Sequence, residues 1–272
     1  MPRIDDVSRI RAVLERDRAW AAYALGDLSP DLVRHCEWRA SADLEALVML
    51  FRGFDPPILF AIGDPDRLAA VVPEIDPAVV SLHIPEDAVP AVSAVYPNRE
   101  LHQMWRMVVD RDHFRAQRLP QPVQDALEPG PGADVETLGT ADFGAIERLF
   151  ADGNETVETP HFFTAQMLEQ GTYRGVRQHG ALIAVAGTHL FVPSLGVCAI
   201  GNVYTRRDCR GQGLAARLTS AVVTYAFSSG ATTVVLNVRQ ANDGARRVYE
   251  RLGFRRHCAF VEGLARRYPS AP

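Results

Sequence analysis

Chemistry is suggested first by the stretch Arg210-Gly211-Gln212-Gly213-Leu214-Ala215-Ala216. Two glycines one residue apart let backbone N–H groups approach a ligand with no Cβ in the way. Behind them Leu214, Leu218, Ala221, Val222 and Tyr225 fall on one helical face. The N-terminus of such a helix points unpaired N–H groups and the positive end of its dipole at the same spot, which suits a diphosphate. Arginines at 206, 207, 210, 217, 246 and 247 accompany the loop. They read either as a solvated helix face or as phosphate ligands, and guanidinium geometry favours the second. A Walker A loop is excluded because the chain contains no lysine. A dinucleotide fingerprint needs its first glycine directly after the strand and an acid about 20 residues on. Here Arg206 to Arg210 intervene and residues 229–242 hold no acid. A plain turn leaves the paired glycines unexplained.

The elements that must position this loop follow from the flanking pattern. Cys198–Thr205 reads as the strand before it and Thr233–Val238 as the next one. The latter is nearly continuously apolar, as for a strand covered on both faces. A last helix closes at Gly253 and carries Ala245, Val248, Tyr249 and Leu252 on one face. The spacing predicts a β-α-β-α unit, in which Tyr249 by spacing alone is a core aromatic.

Two motifs in this unit make it resemble the GCN5-related N-acetyltransferase (GNAT) superfamily. The pyrophosphate-loop pattern Q/R-x-x-G-x-G/A is met by Arg210, Gly213 and Ala215. The pattern N-x-x-A-x-x-x-Y-x-x-x-G-F is met by Asn242, Ala245, Tyr249, Gly253 and Phe254. The resemblance covers residues 134–262 and is absent from the first half. It implies an α/β (α+β) fold with a mixed, centrally splayed sheet, and acetyl-CoA as acyl donor. In this resemblance Val203, Tyr204 and Thr205 hold the pantetheine arm by main-chain bonds. Arg210, Gly211, Gln212, Gly213, Leu214, Ala215 and Ala216 hold the diphosphate, Asn242 reaches the cofactor between them, and Tyr249 protonates the leaving thiolate.

Acyl transfer by direct attack in a ternary complex also needs a way to remove a proton from the amine. Many relatives carry Glu where this chain has Asn237, and an amide takes no proton at neutral pH. The other common carboxylate position, in the strand ending at Thr205, is empty as well. Glu155, Glu158 and His161 in an acidic loop, and His189 one strand over, are the candidates, with His189 and Glu158 ahead. A water chain is the other solution.

Upstream, Val7–Leu28 has helical spacing, and Ala46–Phe51, Ile58–Ile62, Val79–Ile84 and Leu101–Val109 read as strands. Asp64-Pro65 starts a helix through Val72, and Pro85 opens another to Val95. This is a smaller α/β domain over 1–117, readable as a degenerate half of the same fold. A segment over 118–133 holding Pro120, Pro122, Pro129 and Pro131 reads as a linker. The acetyltransferase domain is expected over 134–272. It opens with a strand over Asp134–Leu138 and a helix capped by Thr140, and Phe162–Gln170 is a second short helix. Three antiparallel strands lie at Tyr173–Gln178, Ala181–Leu190 and Cys198–Thr205.

A net charge of −4 gives no support to a nucleic-acid partner, and no apolar run reaches the roughly 18 residues of a membrane helix. Cys36, Cys198, Cys209 and Cys258 lack C-x-x-C spacing and a secretory signal ahead of them, so free thiols, no metal and a cytoplasmic protein are expected. The expected function is an N-acetyltransferase acting on the primary amine of a small molecule or amino acid, as monomer or homodimer. Two alternatives stand beside it. One is an amino-acid N-acyltransferase whose two-domain arrangement is similar to the glycine N-acyltransferase-like (FR47-like) group. The other is a non-catalytic acyl-CoA-binding regulator.

Overall fold

The computed structural model describes residues 3–117, 134–153 and 162–267. Its strands are β1 Cys36–Ala40, β2 Ala46–Phe51, β3 Ile58–Gly63, β4 Val79–Pro85, β5 Asn98–Val109, β6 Glu136–Thr137, β7 Arg174–Gln178, β8 Ala181–Val192, β9 Val197–Thr205, β10 Thr233–Arg239 and β11 Arg255–Arg266. Its α-helices are α1 Val7–Leu14, α2 Ala22–Gly26, α3 Pro65–Val71, α4 Val89–Ser93, α5 Phe143–Ala151, α6 Leu214–Ser228 and α7 Asp243–Arg251.

Two compact units result. One comprises Met1–Met107, Asn237–Asp243 and Arg256–Pro272, the other Val108–Leu236 and Gly244–Arg255. A boundary drawn once along the sequence keeps everything beyond it in one domain. Here the last strand belongs to the first unit, because β11 pairs antiparallel with β4 from Phe260↔Pro85 to Arg266↔Val79. The expected linker at 118–133 lies outside the described residues.

In the first unit the strand order is β1-β2-β3-β4-β11-β5. The alternation of β4 buries Val80, Leu82 and Ile84 on one face. There they meet Leu68 and Val71 of α3 and Val92 of α4. Asp64 caps α3 by accepting from Arg67 N at 3.0 Å, with Pro65 in the first helical position. The expected helix over Val7–Leu28 is instead α1 and α2 with a 3₁₀ turn between them. The side chain of Asp17 accepts from Trp20 N at 3.0 Å, a local bond that competes with the helical ladder.

In the second unit the order is β10-β9-β8-β7-β6. β6 to β9 run antiparallel and β10 joins β9 parallel, after the α6 crossover. Ile146, Leu149 and Phe150 of α5 pack with Tyr173, Leu182, Val185 and Tyr204. Thr140 does not cap α5. It begins a 3₁₀ turn in which Asp142 Oδ2 accepts from Gly139 N at 2.9 Å. The second short helix is a single 3₁₀ turn, Ala165–Leu168.

Candidate active site

The site grows from the way β9 parts from β10. β9 is paired with β8 along its length, from Val197↔Val192 to Thr205↔Ala184, through two register shifts. Its parallel register with β10 runs only from Val197↔Thr233 to Ile200↔Leu236. From Gly201 to Thr205 the outer edge of β9 therefore has no strand partner among the described residues. The departure begins at Asn202, which takes φ +54, a left-handed conformation that asparagine tolerates better than most residues. Its buried amide is held by Nδ2 donating to Tyr173 Oη at 2.7 Å, with Oδ1 3.4 Å from His189 Nε2. This edge carries Val203, Tyr204 and Thr205, the main-chain groups expected to meet the pantetheine arm.

Asp152, which follows α5, fixes the chain beyond β9. Its Oδ2 accepts from Tyr204 Oη and from Arg207 N, both at 2.9 Å. The Arg207 N–H, ahead of the Tyr204 hydroxyl, holds the Asp152 carboxyl below the usual carboxylate range. Nothing in the spacing of the sequence marks Asp152. Arg210 lies 5.7 Å from the Tyr204 ring centroid and donates from Nε to Thr205 O at 3.3 Å.

Gly211 and Gly213 then take φ +80 and +76, and no atom lies within 4 Å of where a Cβ would stand at either. Gly213 is the N-cap of α6, and no side chain caps that end. The first-turn N–H groups of Leu214, Ala215 and Ala216 have no partner within the helix by geometry. Leu214, Ala216 and Leu218, all buried, anchor the turn. Exposed Gln212 completes the loop. Three of the six arginines expected around it are neutralised locally: Arg206 by Asp208 at 2.6 Å, Arg207 by Asp152 at 3.6 Å and Arg246 by Glu250 at 3.2 Å. Arg217 is buried on the packed face of α6.

Tyr249 is 8 % exposed on α7, its ring 6.0 Å from that of Phe254. Its hydroxyl has no hydrogen-bond partner among the described residues, and burial pushes the phenol up to about 12. Gly253 ends the helix at φ +94, where a Cβ would stand 2.0 Å from His113 O. The motif's Gly253 and Phe254 are thus packing residues, while the Tyr249 hydroxyl is unbonded among the described residues. Exposed Asn242 belongs to the first unit, its N–H donating to Arg239 O at 2.9 Å. Asn237 has its Oδ1 shut from solvent, with no hydrogen-bond partner among the described residues.

His189 is half-buried, its ring against Gly201, where a Cβ would stand 2.2 Å from Cδ2. Burial pushes its imidazole down to about 4, with the Asn202 contact opposing. It is uncharged at neutral pH. Such an imidazole is roughly 6 units below a lysine-like ammonium, so it accepts an amine's proton poorly. Glu155, Glu158 and His161 lie outside the described residues.

Residues 143–254 match the acetyltransferase (GNAT) family. No curated protein matches the chain. Among solved structures, an acetyltransferase of the GNAT family from Novosphingobium aromaticivorans is 23 % identical with a TM-score of 0.54, over 90 % of this chain and 96 % of that one. A GCN5-related N-acetyltransferase from Kribbella flavida is 20 % identical at TM-score 0.62, over 92 % and 96 %. Another from Sphaerobacter thermophilus is 16 % identical at 0.58, over 95 % and 93 %. At these identities the likeness is one of fold, and it extends over nearly the whole chain.

Proposed function

We infer, from a chain whose residues 143–254 form an acetyltransferase domain of the GNAT family and make it an acyltransferase, that it moves an acetyl group from acetyl-CoA to the primary amine of a small molecule. GNAT enzymes use acetyl-CoA as acyl donor, and its thioester supplies the activated acyl group. One observation carries the reading: the open edge of β9 is followed, after residues 206–210, by a loop of two left-handed glycines and an uncapped helix N-terminus. The residues present fit the donor, because that edge offers main-chain donors and acceptors to an extended amide chain. The loop offers N–H groups to a diphosphate.

In this reading the N–H groups of Gly211 to Ala216 bind the diphosphate and Arg210 adds charge. The backbone of Val203 to Thr205 orients the arm, and its N–H groups are available to an oxygen that gains negative charge. Tyr249 donates a hydrogen bond to the departing sulfur. A phenol at about 12 stays protonated throughout the working range, yet lies roughly 3 to 4 units above an ordinary thiol, so complete proton transfer from it is uphill. Hydrogen-bond donation is therefore its larger contribution. The ammonium gives up two protons in all: one leaves through a water chain before attack, since His189 is a weak base and Asn237 is none, and the second, released from nitrogen as the tetrahedral intermediate collapses, ends on the departing sulfur.

The test is release of free thiol from acetyl-CoA against a panel of primary amines. Release that depends on the amine is expected. Acetyl-CoA binding with no release for any amine would leave an acyl-CoA-binding protein and overturn the reading.

A further inference from the structure

The first unit contains a groove of about 600 Å³ lined by Glu86, Val89, Arg99, Leu101, Gln103, Gln240 and Val261. A groove of that size suits a small molecule. Val89, Leu101 and Val261 give it an apolar floor. Its two charged groups have opposite sign, and among the described residues neither has an ion-pair partner. Among the described residues Arg99 donates to the Ser93 hydroxyl. Glu86 Oε1 accepts from Gln240 Nε2 at 3.2 Å, and Gln240 Nε2 also donates to Met104 O at 3.3 Å. That leaves Glu86 Oε2 and Gln240 Oε1 as acceptors toward the groove. Gln240 itself is held by its N–H donating to Gln103 O at 2.9 Å, and it precedes the motif residue Asn242 by two positions.

We propose that this groove binds a zwitterionic α-amino acid with an aliphatic side chain. Its ammonium meets Glu86 and Gln240 Oε1, its carboxylate meets Arg99, and its side chain lies on Val89, Leu101 and Val261. An unpaired acid and an unpaired arginine on one groove complement both ends of such a molecule. A monovalent amine or a carboxylic acid satisfies only one of them.

Three probes separate the ends: L-leucine, 3-methylbutylamine, which lacks the carboxylate, and 4-methylpentanoate, which lacks the ammonium. Calorimetry on the full chain should show leucine binding at least about tenfold more tightly than either of the others, as expected for one added charge-assisted contact. Arg99→Gln should bring leucine down to the level of the amine without changing the amine, and Glu86→Gln should bring it to the level of the acid. Unchanged acetyl-CoA affinity shows that each variant is folded. Equal affinity for the three probes, or no binding of leucine, overturns the groove as an amino-acid site.

Discussion

The two halves of β9 make different uses of one strand. Val197 to Ile200 are buried and paired on both edges, to β8 and to β10. Among the described residues, Gly201 to Thr205 have a strand partner in β8 alone. Along the first half the backbone's hydrogen bonds are spent on the sheet. Along the second, one edge remains for something other than a strand. The difference shows how a sheet makes a binding surface without a loop: it stops pairing early, and the left-handed turn at Asn202 bends the strand away.

If the open half marks the reacting end, the largest effect belongs to Tyr249. Tyr249→Phe keeps the packing against Phe254 and removes only the hydroxyl. Turnover should fall roughly 10²-fold with acetyl-CoA affinity nearly retained. Wild-type turnover would return Tyr249 to the core and detach chemistry from the motif.

The next effect concerns what separates the halves. Asn202→Ala removes the donor to Tyr173 Oη and places a Cβ-bearing residue without local hydrogen bonds at φ +54. It should lower the unfolding free energy by about 2 kcal/mol or more in urea titration. Ala199→Gly in the doubly paired half should cost only about 1 kcal/mol. Equal costs would erase the distinction between the halves.

Beyond the open half, Gly213→Val meets no steric wall, since nothing stands within 4 Å, but φ +76 disfavours a β-branched residue. The loop should rearrange and the acetyl-CoA dissociation constant rise at least about tenfold. Unchanged affinity in a folded variant would remove the diphosphate from this loop.

The smallest effect, absent at pH 7, comes from His189 behind the bend. Its folded pKa of about 4 lies below the ordinary 6.5, so as pH falls the unfolded chain takes up the proton first. Stability from this group is complete above 6.5 and declines as pH drops toward 4. His189→Gln should lack that decline, and an identical pH profile would show the ring to be solvated.

Much of this was legible in the sequence. β9, α6, β10 and α7 lie within a residue or two of their expected positions. Apolar runs covered on both faces leave little choice, and glycines punctuate their ends. β1 and β11 were not expected. Cys36–Ala40 alternates apolar Cys36, Trp38 and Ala40 with Glu37 and Arg39, a signal that was present but only five residues long. β11 carries Arg255, Arg256, Glu262 and Arg266 and shows no clear alternation. It is a strand because of its partner, which is about 180 positions away in the chain. Asp152 was hidden for the same reason: its bonds to Tyr204 and Arg207 span 52 and 55 positions.

By itself the sequence carried the two motifs from which the chemistry proposed for the second unit is read. Glycine alone takes the loop's backbone conformation at no steric cost, and the residue types of the two motifs are read without coordinates. Tertiary structure alone decided where β9 stops pairing with β10, that Gly253 and Phe254 are packing residues while the Tyr249 hydroxyl is unbonded among the described residues, and that His189 is uncharged. Those outcomes depend on which distant backbone and side-chain groups come within hydrogen-bond or van der Waals range, and on how much water the surrounding residues displace. Neither quantity is a property of a local stretch of chain.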